Sequence, residues 1–263
     1  MAYGLKLDKN ITYLDRSLKN VHFSGLRGKA LSVNMSDIPS MSAVLDVVPD
    51  RCCSRQTMTS LGYLFQSLII QLIVIAVGLA IPQTQAMFFV WILYALISGT
   101  TAMGFWVIAH ECGHNAFSEN RILQDFVGYT LHSLLLVPYF AWQRSHAVHH
   151  SRTNHLTEGE THVPYVKGEL KGDLNLNARK RLGEGLFTCV QLVTHLIFGW
   201  PAYLITGATG GSARGITNHF LPWINTGELE LFPGSWKQKV LVSDVGVLAV
   251  VSSLGYWVYC CGW

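Results

Sequence analysis

Five histidines carry the chemistry that this sequence could do. His110 and His114 are spaced HxxxH, and His146, His149 and His150 are spaced HxxHH. On a helix, residues three and four apart share a face, so each cluster presents its imidazoles together. Imidazole binds iron, zinc, copper and nickel alike, so ligand type leaves the metal open. The ligands must be neutral to coordinate, and occupancy should fall as pH drops through the histidine range. A lone histidine usually caps a helix or bonds a carbonyl. Five in this pattern, each cluster at the water end of an apolar run, point to function instead. Soluble di-iron bundles use glutamates and Glu-x-x-His ligands. Imidazole-bearing helices at a membrane surface would be their histidine-rich counterpart, an oxygen-activating non-haem iron centre.

A rival reading starts from the same residues. His110-Glu111-Cys112-Gly113-His114 also spells HExxH, the zinc-protease helix whose glutamate is the base. A one-zinc protease needs a single further ligand, which leaves the second cluster without a role. Around the clusters, Glu111 and Glu158 are candidates to orient ligands from behind, as metal-bound histidines usually require. His132 is a candidate second-layer partner or sixth ligand, with hydrogen-bonded packing as the plainer reading. His155 and His162 flank the second cluster in a polar loop and are read as surface residues or as second-layer partners of the ligands. His195, inside an apolar run, is a candidate to line an acyl channel or, as the plainer reading, to bond a neighbouring helix, and His219 stands isolated.

The elements that must position these groups are apolar. Residues 61–81 and 86–109 are uncharged and match the roughly 20 residues that cross a bilayer. The second run leads directly to His110. Residues 122–141, interrupted by Asp125, His132 and Pro138, are expected to form one re-entrant or interfacial helix. Residues 157–184 read as a polar, glycine-rich loop ending in Arg179-Lys180-Arg181. Residues 186–206 and 240–261 are the third and fourth expected spans, joined by a Gly/Pro-punctuated loop over 207–239. The fold class is therefore an all-α membrane protein with about four transmembrane helices plus an interfacial helix. Residues 1–56 are expected as a cytosolic arm with a short helix before Pro49, and 57–263 as the main domain. The stretch before residue 61 carries eight Lys/Arg, as does 110–185, and the first hairpin turn carries none. The positive-inside rule then places both histidine clusters in the cytosol. Four successive crossings would put 207–239 in the lumen, where Lys237 and Lys239 fit poorly.

Composition supports a bilayer. Half of the 263 residues are hydrophobic and 13% are charged, against about a quarter charged in soluble domains. A net charge of +3 gives no nucleic-acid footprint and suits a surface of anionic lipid. Cys52–Cys53 and Cys260–Cys261 are adjacent pairs, Cys112 and Cys189 are single, and no CxxC occurs, so a zinc ribbon or disulfide framework is not expected. The N-terminal stretch has no apolar signal core, and Asp8, Asp15 and Asp37 speak against an acid-poor plastid transit peptide. The endoplasmic reticulum is the expected membrane, with a plastid membrane as the alternative.

The strings WVIAHECGHNAFS, LHSLLLVPYFAWQRSHAVHHSRT and GETHVPY resemble the membrane-bound acyl-lipid fatty acid desaturases, in particular the omega-6/omega-3 (delta-12/delta-15) group. PDRCCSRQTMTSLGYL, NHFLPW and LFPGSWKQKVLVSDVGVLAV extend the resemblance from about residue 35 to the end. Residue by residue, the family's first histidine box falls on His110 and His114, and its second on His146, His149 and His150. The resemblance implies a di-iron centre that, with dioxygen and two electrons, removes two hydrogens from a lipid-linked acyl chain and leaves a cis double bond. It also implies a cytochrome b5-type or ferredoxin electron donor and membrane-lipid contacts, with self-association left open. Asn115 stands where many relatives carry another histidine. The family's third box, another HxxHH, has no counterpart before Trp263, so a C-terminally incomplete desaturase domain is the expectation. A catalytically inactive isoform that binds lipid or dimerises is the alternative from another functional class. Hydroxylases, epoxygenases and acetylenases share the scaffold, so the outcome of the oxidation stays open at this point, as do the bond position and the acyl carrier.

Overall fold

Two uncharged runs joined by a short turn have one solution in lipid. Each must satisfy its backbone internally as a helix, and the turn brings them antiparallel. The computed structural model, which describes residues 20–24, 30–34, 39–153, 155–164, 166, 168 and 170–261, contains this hairpin. It consists of α2 (Thr57–Ala80) packed against α3 (Phe88–Gly113). Leu72, Ile73, Phe89 and Leu93 are each more than half exposed, as lipid-facing residues are. Inside the hairpin, Thr101 Oγ1 donates to Gln71 Oε1 at 2.8 Å. Such interhelical bonds contribute about 0.6 kcal/mol each in lipid.

Residues 1–54 form a unit of their own. Its described parts are a two-stranded antiparallel hairpin and α1 (Met41–Asp46). In the hairpin, β1 (Asn20–Ser24) and β2 (Ala30–Asn34) place Val21 opposite Val33. α1 is the short helix expected before Pro49, and Ser40 caps it by accepting from the Ala43 N–H at 3.2 Å. The hairpin was not expected in the polar arm. Its signal is a period of two, with Val21 and Phe23 in one strand and Leu31 and Val33 in the other.

The single interfacial helix expected over 122–141 is two helices, α4 (Arg121–Leu134) and α5 (Tyr139–Ser151). Pro138 has no N–H to donate and disfavours helix in the residue before it, and Leu136 turns the chain at φ 59°. Asn120 starts α4 by accepting from the Ile122 and Leu123 N–H groups at 3.0 and 3.2 Å. Phe105, Ile108, Ala109 and Cys112 of α3 close a core with Phe117, Val127, Leu131 and Tyr139. A second cluster joins Ala141 and Val148 of α5 to Leu231, Phe232 and Val240.

Part of the expected 157–184 loop is helical as α6 (Leu170–Leu182). Next come α7 (Glu184–Thr194), a π-helical turn over His195–Gly199 and α8 (Trp200–Thr206). The widened turn accommodates Pro201, whose ring would clash with the carbonyl one turn back in a regular helix. α9 (Trp236–Cys261) follows. Among the described residues, four helical stretches are long and apolar enough to cross a membrane: Asp50–Ala80, Gln85–Gly113, Glu184–Thr206 and Trp236–Cys261.

The lumenal placement of 207–239 does not hold. The Val163 N–H donates to Thr209 O, the Gly211 N–H to Gly159 O and the Ala213 N–H to Thr157 O, at 2.9–3.1 Å. Arg144 Nε–H on α5 donates to Leu231 O at 3.0 Å. These bonds place both flanks of the α6–α8 stretch on the histidine side. Counting each apolar run as one crossing assigned the opposite side, and Lys237 and Lys239 no longer conflict with the charge rule. α9 accordingly starts beside the histidines. Its Ser243 Oγ accepts from the Phe140 N–H at 2.8 Å, and residues 251–261 run on exposed.

Candidate metal centre

α3 ends where its apolar run ends, so His110 and His114, one turn apart, emerge together at the last turn. α5 starts after Pro138, and its second and third turns bring His146 and His150 to face them. The four Nε2 atoms converge. His146 Nε2 lies 2.9 Å from that of His110, 3.1 Å from that of His114 and 3.1 Å from that of His150, and His110 and His114 are 3.2 Å apart.

Hydrogen bonding alone does not satisfy this arrangement. An imidazole nitrogen offers one proton or one lone pair, so His146 Nε2 cannot bond three neighbours at once. Converging lone pairs are satisfied by a cation. Nitrogens about 2.1 Å from one ion stand about 3.0–3.4 Å apart, close to the spacings found. The donor set therefore fits a metal.

The surroundings hold the rings in the ligating form. Glu111 Oε1 lies 3.0 Å from His110 Nδ1, which keeps the proton on Nδ1 and the lone pair on Nε2. Burial first, then His110, His114, His150 and His149, press the His146 pKa down to about 3. Burial, followed by His110 and His150, lowers His114 as well. Both are neutral at pH 7. The Trp142 ring stacks on His146 with centroids 4.4 Å apart and planes 21° apart. It can approach because residue 113 is glycine: a Cβ there would stand 2.6 Å from Trp142 Cζ3.

The structure brings four of the five box histidines together and sets His149 aside. The His149 ring lies 6.0 Å from His146, 5.6 Å from His150 and 6.3 Å from His162 between centroids. His132 is fully buried on α4, between Trp106 at 5.0 Å and Trp142 at 4.8 Å. Neither of its nitrogens meets a partner at hydrogen-bonding geometry, and burial, then His110, press its pKa down to about 3. The Trp106 backbone pulls the other way as a hydrogen-bonding neighbour, in keeping with the plainer, packed reading of this residue. Glu158 is engaged by Arg152 Nε at 3.0 Å, and His155 Nδ1 accepts from the Glu158 N–H at 3.0 Å. His195 lies 3.2 Å from Gln191 O, a carbonyl of its own helix and not of a neighbouring one. His219 is not isolated: it is fully buried 3.8 Å from Glu160. Sequence reasoning missed Glu160, Tyr203 and Ser145, which meet behind α5. Their only local signal is a glutamate and a tyrosine at places that turn out to be buried.

A family model described as fatty acid desaturase matches residues 88–261. The Delta(12)-fatty-acid desaturase of Arabidopsis thaliana is 34% identical over 82% of this chain and 54% of its own length. The omega-6 fatty acid desaturase, endoplasmic reticulum isozyme 1, of Glycine max is 35% identical over 79% and 51%. An oleate hydroxylase of Claviceps purpurea is 28% identical over 97% and 58%. The chain thus spans about half the length of the curated relatives it matches. No solved structure matches it. With the family match covering the histidine helices and most of the membrane-embedded chain, and with omega-6 desaturases among its relatives, this chain belongs to the fatty acid desaturase family.

Proposed function

We propose that the chain works as a membrane-bound, oxygen-dependent acyl-lipid desaturase of the omega-6 or omega-3 type, placing a cis double bond in a lipid-linked unsaturated acyl chain. The single observation that carries this reading is the convergence of four imidazole Nε2 atoms at the water end of the α2–α3 hairpin. His110, His114, His146 and His150 would hold one iron, and His149 would serve the second of the pair. Glu111 and His132 would act behind the ligands. The electron donor would be of the cytochrome b5 or ferredoxin type, and the membrane that of the endoplasmic reticulum.

Iron, when bound, would supply the one thing no side chain here can, activation of dioxygen to remove two hydrogens. The rest follows from the chain's own residues. Glu111 holds the proton on His110 Nδ1. Trp142 covers one face of His146 and keeps water from that ring. The exposed apolar surfaces of α2 and α3 let an acyl chain approach from the lipid.

Expression in a membrane that makes only monounsaturated acyl chains, with fatty acid analysis, tests the reading. A new double bond that disappears with His146→Ala is expected, with the variant still in the membrane. Product surviving His146→Ala would remove the metal assignment. The hydroxylase relative, matched over 97% of this chain, favours one second reading, in which the same assay yields a hydroxy acyl chain. The zinc-protease reading is not favoured. Its glutamate must reach the metal, whereas Glu111 lies on the Nδ1 side of His110, opposite Nε2.

A further inference from the structure

We infer that Tyr203 and Glu160 are positioning residues for the α5 histidines: a buried hydrogen-bond chain running from the 155–163 loop through α8 fixes the rotation of α5, and with it the direction of His146 and His150. The inference rests on the reading of the four-histidine cluster as a metal site.

Tyr203 Oη lies 2.9 Å from Ser145 Oγ and 2.9 and 3.1 Å from the two oxygens of Glu160. Ser145 Oγ–H donates to Trp142 O at 3.1 Å. Ser145 precedes His146, and Trp142 is the residue whose ring stacks on it. The chain therefore ends on the turn of α5 that aims the central ligand. Ser145 is fully buried, and Glu160 is 2% and Tyr203 8% exposed, so no water competes for these bonds.

The protons can be counted. Ser145 has spent its proton on Trp142 O, and its oxygen needs a donor. Tyr203 has one proton, which it can give to Ser145. A protonated Glu160 then donates to Tyr203 Oη, and every group in the chain is satisfied in one direction. Burial supports that state, pushing the Glu160 pKa up to about 8 against the pull of Tyr203 and Arg214. His219 closes the far side with its ring 4.6 Å from that of Tyr203. Its Nδ1 lies 3.2 Å from Leu204 O, and its Nε2 lies 3.8 Å from Glu160 Oε1, beyond hydrogen-bond distance. Further ties of α5, among them Phe140 N–H to Ser243 and Arg144 to Leu231, hold the helix in place nearer its start. Tyr203 reaches it beside the ligand.

The test is a titration of the full-length, metal-free protein in detergent with Co2+, read by visible absorption, together with metal-free thermal unfolding. Tyr203→Phe removes one oxygen and keeps the ring against His219. It is expected to bind Co2+ about 10- to 100-fold more weakly, as loss of an orienting partner does, with a shifted band and little change in metal-free unfolding. Glu160→Gln retains an N–H donor for Tyr203 and should titrate close to wild type, whereas Glu160→Ala should follow Tyr203→Phe. A wild-type-like titration of Tyr203→Phe would overturn the positioning role while leaving the metal reading intact. Weakened binding matched by an equal loss of metal-free stability would also overturn it, by making Tyr203 a core residue only. If wild type itself gives no cobalt band, the metal reading falls and the positioning role falls with it.

Discussion

His146 holds the middle of the cluster, with its Nε2 within 3.1 Å of three other imidazole nitrogens, whereas the His149 ring of the same box stands aside, 6.0 Å from His146 and 6.3 Å from His162 between centroids. Substitutions should therefore split the box. His146→Ala is expected to abolish binding of the first metal ion, and His149→Ala to spare it, as read by Co2+ titration of each variant. Both clusters were legible because helix periodicity is local: three- and four-residue spacings fix a shared face whatever the tertiary fold. That His149 turns aside was not legible, because it depends on the loop carrying His162. Glu160 was hidden for the same reason, with its partner Tyr203 43 positions away. It also gives a pH prediction. Its folded pKa, about 8, is raised above the ordinary 4.5, so its stabilisation is full below about pH 4.5 and lost as pH rises through about 8. His219, lowered from 6.5 to about 4 by burial, is neutral in both states above pH 6.5 and contributes nothing there. Between pH 6.5 and 8, the unfolding midpoint of metal-free wild type should fall relative to that of Glu160→Gln. Parallel curves would show that Glu160 does not titrate on folding.

Elements were readable where their signals were chemical and local. The uncharged runs became α2 and α3, and the short helix before Pro49 became α1. The split of 122–141 into α4 and α5 could have been read from Pro138, which no continuous helix would place there without a kink. α6 was masked by its glycine and asparagines, and tertiary context overrides such weak propensities. Element packing yields its own prediction at Gly113, where α3 lies against the Trp142 ring of α5. Gly113→Ala would set a methyl 2.6 Å from Trp142. The helix-propensity gain is at most about 1 kcal/mol, whereas overpacking a tight contact costs about 1–3 kcal/mol. The substitution should lower the unfolding midpoint and weaken Co2+ binding together. An unchanged or raised midpoint would show that Trp142 moves aside without penalty.

At the scale of the molecule, charge counting placed the α3 end and α5 on one side, but the rule of one crossing per apolar run misassigned the 207–239 loop. That rule counts crossings along the chain, whereas backbone bonds between residues 157–163 and 209–213 tie this loop to the histidine side. In a variant lacking its native cysteines, Ser212→Cys should react with an impermeant maleimide only from the side of the histidines, and Thr84→Cys, in the α2–α3 turn, only from the other. Labelling of both from one side would contradict the assembly. The fold exists to bring the water end of one hairpin against a helix that is not continuous with it, and the central claim is that this junction holds a metal through His110, His114, His146 and His150. The most direct measurement is iron content by elemental analysis of the full-length protein purified from iron-supplemented cells, for wild type and for His146→Ala. Wild type is expected to retain at least one iron per chain and His146→Ala to lose it. Equal iron in both, or none in wild type, would contradict the account.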